Sequence, residues 1–265
     1  MKKFLQILLV SILGVFLVTG SAMAVPFNTR PIAATTGDLD GYTGSLQDIF
    51  DTIGSSIDVY NDQSGAAIFQ PTSAGTSATY ITSMSWGAYS GSYEIGLYQY
   101  GDTSTNVKLF DEDISAGNVS INFAASGTVA TSYFNEAASA WETVDVQTDF
   151  GNTFGFYLTS TYGTWYSEDD LNGTGQAQML MYEAKGDPVE INGQHFTTDE
   201  DHWYVAMEGA DQLDWPYGSG NIDYNDFVLQ VESVQPVPEP ATMLLLGSGL
   251  IGLAGMGRKK FFKKS

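Results

Sequence analysis

The basic residues of this 265-residue chain are confined almost entirely to its two ends. Seven of the ten Lys and Arg residues lie in residues 1–24 and 241–265, beside two long apolar runs, and neither end segment contains an acidic residue. Residues 25–240 therefore hold three basic residues and all 31 acidic ones, a net charge of −28. Because apolar runs flanked by Lys and Arg enter membranes, the acidic part between them has to build its own core.

That core must form without disulfides, because the chain has no Cys. The lack of Cys also excludes thiolate metal sites and a Cys nucleophile. The two His residues are too few for a three-His metal site. A body this acidic repels phosphate backbones and anionic lipid surfaces, so we expect no nucleic-acid partner.

Residues 1–24 have the layout of a secretory signal peptide. Two lysines precede an apolar run over residues 4–18, and Ala22 and Ala24 supply the small side chains of a signal peptidase cleavage site. We therefore expect signal peptidase as a processing partner and export of the mature protein.

Residues 237–265 contain three features in a fixed order. The segment opens on a short motif, residues 237–240, that includes Pro238, Glu239 and Pro240. An apolar, Gly-rich run of 17 residues follows at 241–257, at the short limit for a transmembrane helix across about 30 Å of hydrocarbon. The basic tail, 258–265, then holds the end of the chain on the cytoplasmic side.

This order resembles the PEP-CTERM sorting signal of Gram-negative bacteria. The matching residues are the Pro-Glu-Pro motif, the Gly-rich apolar run and the basic cluster of Arg258, Lys259 and Lys260. The resemblance implies cleavage near the motif by exosortase, a membrane-embedded protease. It also implies a precursor held transiently in the inner membrane and a product at the cell surface or in the extracellular matrix. The alternative is an ordinary single-pass anchor after a Pro-rich linker.

The body, residues 25–236, predicts one all-β domain. Short apolar and aromatic runs alternate with Gly, Ser, Thr, Asn and Asp, a pattern typical of strands joined by turns. In the clearest run, Tyr93, Ile95 and Leu97 share one face by period two. We predict a jelly-roll-like β-sandwich with strands at 80–85, 93–98, 107–110, 119–123, 154–158, 164–166, 178–182, 203–207 and 227–231.

Two short helices are predicted within this domain. Apolar residues between Leu46 and Ile57 recur at helical spacing, and Ser45 is placed to cap the helix. Residues 134–141 predict a second helix of two turns.

A series of short segments in the body ends in the motif Asp223-Tyr224-Asn225-Asp226. The segments are 94–98, 154–158, 166–168 with 171–172, 179–182, 204–208 and 223–228. In this order they are similar to a family of secreted bacterial β proteins of unassigned function, often joined to PEP-CTERM tails. Family members usually carry Glu-Asp after the penultimate strand, whereas here Glu208 is followed by Gly209.

The loop before the last predicted strand is the strongest candidate for a metal site. Its oxygen-bearing side chains alternate, as hard cations such as Ca²⁺ require, and we expect a further carboxylate from the neighbouring strand end. The predicted ligands are Asn221, Asp223, Asn225, Asp226, Glu208 and Asp211. It is not an EF-hand, because Asp226 stands where the sharp turn needs Gly and a strand follows. The alternative is a turn capped by Asx side chains.

No catalytic motif accompanies these residues, so we expect no enzyme activity. The chain has neither G-x-S-x-G nor H-E-x-x-H, and His195 and His202 are expected to lie in loops. Trp215 and Tyr217 flank a Pro in a predicted loop and are suited to stack on sugar rings. The expected role is structural or adhesive, in the biofilm or exopolysaccharide setting that the PEP-CTERM resemblance implies. A carbohydrate-binding module is the alternative, and a hydrolase with paired carboxylates is a weaker one.

Overall fold

The structure of the protein is a computed structural model. It describes residues 44–72, 77–86, 93–111, 118–135, 137–173, 177–191, 193–209 and 223–237, with the backbone alone at 77–86. The predicted signal peptide, the Pro-Glu-Pro motif, the apolar run and the basic tail lie outside these residues. Within the described part, no helix is long and apolar enough to cross a membrane.

The described residues form one α-helix and sixteen β-strands. The helix α1 spans Leu46–Ile53. The strands are β1 Gln63–Ser64, β2 Phe69–Pro71, β3 Ser77–Trp86, β4 Glu94–Gln99, β5 Asp102–Asp111, β6 Asn118–Phe123, β7 Val129–Asn135, β8 Ala140–Gln147, β9 Phe154–Ser160, β10 Gly163–Tyr166, β11 Met179–Glu183, β12 Pro188–Ile191, β13 Gln194–Thr197, β14 Trp203–Met207, β15 Phe227–Val231 and β16 Val234–Pro236. Each of the nine predicted strands coincides with one of these.

The strands build two large antiparallel sheets and one separate hairpin. The first sheet has the order β1-β11-β14-β15-β3-β6-β7-β8. The second has the order β16-β2-β9-β4-β5, with β10 paired to β9, and β12 pairs with β13 alone. The predicted all-β sandwich is confirmed.

The first sheet is buried on both faces along β11, β14 and β15. On β11, Met179 and Met181 join the core between the two large sheets, which also holds Ile95 and Leu97 of β4. Leu180, the residue between the two methionines, faces a second core together with α1. A strand buried on both faces reads as a continuous apolar run, as these three strands do.

Helix α1 covers the outer face of this sheet. Ser45 and Asp48 form a capping box at its start, and Gly54 ends it with a φ of +87°. Phe50 packs edge-on against Tyr182 and Tyr204 of the sheet, with ring centroids 5.3 and 5.2 Å away. The first predicted helix is therefore confirmed, although it ends before the buried Ile57.

The second predicted helix, at residues 134–141, is wrong. These residues join β7 to β8, and Phe134 and Trp141 are cross-strand partners with ring centroids 5.6 Å apart. The Asn135 side chain accepts a hydrogen bond from the backbone of Ala138, and Ser139 adopts a φ of +50°, which closes a turn. Strand pairing satisfies this backbone, whereas an isolated eight-residue helix is marginal in water.

Candidate cation site

Three polar residues lie next to one another where three neighbouring strands of the first sheet, β11, β14 and β15, begin or end. Met207 of β14 is opposite both Met179 of β11 and Phe227 of β15. The residue beyond each of these three, away from the strand, is polar, and by the same register these residues are opposed as well. They are here called the polar row: Gln178, Glu208 and Asp226. The backbone N–H of Glu208 donates to the Gln178 carbonyl oxygen at 2.9 Å. Opposed residues of antiparallel strands point to the same face. For the polar row this is the face covered by α1.

Residues 223–226 fold over the polar row as a tight turn. Glu208 Oε2 accepts hydrogen bonds from the backbone N–H groups of Asp223 and Tyr224, at 3.2 and 3.3 Å. Tyr224 takes a left-handed φ of +57°. The backbone of Asn225 donates to Asp223 Oδ1 at 3.3 Å, which is the Asx turn expected from the sequence.

The turn is fastened to the rest of the domain on both sides. The Tyr224 hydroxyl donates to the Ala177 carbonyl oxygen at 2.9 Å. Asn225 Nδ2 donates to the Gly44 carbonyl oxygen, directly before α1, at 2.7 Å. The helix, the turn and the polar row therefore form one connected unit.

The oxygen-bearing side chains of the polar row and of Asp223 are all buried. Glu208 is 2% exposed, Asp223 4% and Asp226 7%, and Gln178 is completely buried. Neither amide atom of the Gln178 side chain has a hydrogen-bond partner. Buried polar groups almost always have one, so the Gln178 amide is an exception to the usual pattern.

The site carries an excess of negative charge. Burial raises the pKa of Glu208 well above its usual range, and the Asp226 and Asp223 carboxyl groups raise it further. The described lysines are engaged elsewhere, because Lys108 pairs with Asp111 and Lys185 with Asp62. Two arrangements satisfy these charges: a proton shared between Glu208 and Asp226, or a cation among the oxygens.

The structure brings together four of the six predicted ligands: Asp223, Asn225, Asp226 and Glu208. Asn221 and Asp211 lie outside the described residues, as do Trp215, Tyr217, Ala22 and Ala24. Gln178 is not among the predicted ligands. Its only sequence signal is a polar residue at the start of an otherwise apolar strand.

Both histidines are expected to lie in loops, and the structure contradicts this for one of them. His195 lies within β13 and not in a loop, whereas His202 directly precedes β14 and is 8% exposed. Three carboxyl groups surround the His202 ring, from Asp199, Asp201 and Glu232.

Comparison with known proteins bears on the end of the chain. Residues 236–259 match the PEP-CTERM protein-sorting motif. Neither curated proteins nor solved structures gave a match. The similarity of the body to the family of secreted β proteins therefore stays a prediction. The match begins at Pro236, the last residue of β16, which is the last described strand. The chain thus carries a PEP-CTERM sorting motif, which implies an exported, membrane-anchored precursor that exosortase processes.

Proposed function

We propose that the exported body is a calcium-organised β-sandwich with a structural or adhesive role and no enzyme activity. We place it at the cell surface or in the extracellular matrix of a Gram-negative bacterium, with exopolysaccharide as a partner. The observation that carries the calcium proposal is the polar row, where the buried Gln178, without hydrogen-bond partners, lies opposite Glu208, and Glu208 lies opposite Asp226.

The free energy of burial supports a bound cation. Moving one ionised carboxylate out of water costs several kcal/mol even after the protein relaxes, and adjacent carboxylates add mutual repulsion. Ca²⁺ takes six to eight oxygen ligands, and carboxylate and amide oxygens are among those it prefers. Glu208, Asp223 and Asp226 supply the first kind and Gln178 the second. A divalent cation also reduces the self-repulsion of a body with 28 excess negative charges.

The position of the site favours structure over catalysis. Glu208 is 2% exposed and lies beneath the turn that donates hydrogen bonds to it. An ion held there fastens the turn, β14 and β15 to one another. A substrate would have to displace the same turn to reach the carboxyl groups.

Thermal unfolding of the full chain in detergent, with calcium and then with chelator, tests this role. A ligand that binds the folded state stabilises it by RT ln(1 + [L]/Kd), about 2.7 kcal/mol at a hundredfold excess over Kd. We expect a melting temperature several degrees higher in calcium than in chelator. Equal melting temperatures would contradict calcium organisation and favour the shared proton.

The sorting route has its own test in living cells. Replacing Pro238, Glu239 and Pro240 by Ala should leave the precursor uncleaved in the inner membrane, because exosortase cuts near this motif. Immunoblots of membrane and released fractions measure the outcome. The control is Asp149→Asn, a change at an exposed position in the body. Unchanged release of the processed protein would contradict the sorting role of the motif.

Carbohydrate binding is a second candidate, favoured by one exposed aromatic pair. Phe134 is 42% exposed and Trp141 47%, and they stand together at the end of the β7–β8 hairpin. Exposed aromatic faces provide apolar area for the flat side of a sugar ring. Retention on immobilised exopolysaccharide that Trp141→Ala abolishes would support this role, and retention unchanged by that variant would count against this pair.

A further inference from the structure

The last described strand leads directly into the sorting segment. Strand β16 lies at the edge of the second sheet and pairs with β2. The backbone N–H of Val237 then donates to the Ile68 carbonyl oxygen at 2.9 Å. Pro238, the first residue of the Pro-Glu-Pro motif, comes next. Pairing of β16 with β2 therefore fixes where the sorting motif leaves the body.

A buried histidine lies beside the start of this strand. His202 Nδ1 is 2.7 Å from Asp199 Oδ1 and 3.4 Å from Asp201 Oδ1. Its Nε2 is 3.2 Å from Glu232 Oε2, in the turn between β15 and β16. The backbone N–H of Asp199 also lies 3.2 Å from Nδ1 and can donate to it when the ring is neutral. When the ring is protonated, both nitrogens donate, Nδ1 to the Asp199 carboxylate and Nε2 to Glu232.

The loop that holds His202 is also bonded to the first residues of β16. The Asp201 carbonyl oxygen accepts a hydrogen bond from the backbone of Val234 at 3.3 Å. Its side chain accepts one from the Thr72 hydroxyl at 3.3 Å. The backbone of Thr72, after β2, in turn donates to the Ser233 carbonyl oxygen at 2.9 Å. The turn before β16 is thus held by the His202 loop and by β2.

We propose that His202, Asp199, Asp201 and Glu232 form a pH-sensitive clasp that fastens β16 to the body. By holding β16, the clasp keeps residues 234–237, which directly precede the sorting motif, bonded to the body. The clasp depends on the charge of its histidine. Because Asp199, Asp201 and His202 also lie close enough together to hold a metal ion, the test below is made in chelator.

The direction of the pH dependence follows from the charges that face the ring. Burial lowers the pKa of His202, but the hydrogen bonds to Glu232 and Asp199 outweigh it, and the net pKa is raised. A raised histidine pKa stabilises the fold fully below the unfolded value of about 6.5. That contribution is lost as the pH rises through the folded pKa, so the clasp loosens on the alkaline side.

The two aspartates set the acid limit of the clasp. Hydrogen bonds from Asp201 and His202 lower the pKa of Asp199, so its contribution is lost only as the pH falls through that lowered value. Burial and the Asp199 carboxyl group raise the pKa of Asp201, so Asp201 takes up a proton first. The clasp is therefore strongest in mildly acidic solution.

The consequence for processing rests on the exosortase route. With β16 paired, residues 238–240 alone separate Val237 from the apolar run, and three extended residues reach about 10 Å. Release of residues 234–237 adds about 13 Å. Loosening of the clasp therefore gives the membrane protease a longer free segment around its motif.

Hydrogen exchange on the full chain in detergent, with chelator throughout, tests the clasp. The readout is the protection of the Val234 and Val237 amides at pH 6 and pH 9, corrected for the intrinsic exchange rates. The variants are His202→Gln and Glu232→Gln. The matched control is His195→Gln, because the other histidine is exposed and 3.6 Å from Glu190.

We expect wild-type protection to be lower at pH 9 than at pH 6, because the stabilisation from a raised histidine pKa is lost as the pH rises through that pKa. The control should behave like the wild type. Both clasp variants should show low protection with little pH dependence, and Glu232→Gln serves if His202→Gln does not fold. An undiminished pH response in the clasp variants would overturn the proposal. So would a wild-type response that appears only when chelator is left out.

Discussion

The polar row and the clasp are two places where this acidic chain crowds carboxyl groups together, and they are neutralised in different ways. In the clasp, three carboxyl groups surround His202, which supplies a positive charge from the chain itself. In the polar row, Glu208 and Asp226 lie buried with Asp223 nearby, and both described lysines pair with acids elsewhere. A carboxyl cluster therefore does not by itself indicate a metal site.

The environment of the neighbouring polar groups separates the two cases. His202 faces a carboxylate at each ring nitrogen, so the proposed clasp needs only the proton that charges the ring. The amide of Gln178 is buried without partners, and in our proposal a cation completes the polar row. Calcium should thus act on the polar row and pH on the clasp.

The largest expected difference comes from removing one carboxylate of the polar row. Asp226→Asn keeps an oxygen for the Gly209 N–H, which now donates to Asp226 Oδ2 at 2.7 Å, but removes the charge. In calcium we expect a loss of about 3–5 kcal/mol in the free energy of unfolding, typical of a broken buried charge arrangement. In chelator the loss should be much smaller, because a repulsion disappears with the charge.

Denaturant unfolding in both solutions measures this effect. Asp199→Asn makes the same chemical change in the clasp and is the matched control. Its effect should be equal in calcium and in chelator. Equal losses for Asp226→Asn in the two solutions would reduce the polar row to a structural turn.

A smaller effect is expected from the histidine of the clasp. His202→Gln should lower the free energy of unfolding by about 1.5 kcal/mol at pH 6, the lower end for hydrogen bonds to a charged group. At pH 9 the difference from the wild type should be smaller, because the stabilisation from a raised histidine pKa is lost as the pH rises through that pKa. Unfolding curves at the two pH values check this, and a difference that grows with pH would contradict the assigned charge.

The smallest effect is expected where α1 begins. Ser45→Ala removes half of the capping box and should cost about 1 kcal/mol. Asn225 binds the Gly44 carbonyl oxygen, so the helix start touches the turn of the polar row. We expect the same loss in calcium and in chelator, measured by thermal unfolding. A loss confined to calcium would make the start of α1 part of the site.

Local patterns in the sequence were enough to predict most of the central strands. Period-two alternation places Ile95 and Leu97 in the core, with Tyr93 packed against it, as the structure confirms. A local pattern gave the wrong prediction at residues 134–141, where Ala residues between two aromatic residues suggest a helix. The cross-strand contact between Phe134 and Trp141 depends on the turn at Ser139, which has no periodic signal.

Only those residues of the site that are close together in the sequence could be predicted from their spacing. Asp223, Asn225 and Asp226 are neighbours in sequence, and their spacing alone indicates oxygen ligands. Gln178 joins them through the pairing of β11 with β14, and register across strands is not written in either strand alone. Glu232 reaches His202 in the same way, from a turn thirty residues further along the chain.

Direct titration of the full chain with calcium tests the central claim most simply. We would measure binding by calorimetry for the wild type, for Asp226→Asn and for Asp149→Asn as a control at an exposed position. The account predicts a tight site in the wild type and the control that is lost in Asp226→Asn. Equal calcium binding by all three proteins would contradict it and would assign any bound calcium to other acidic groups.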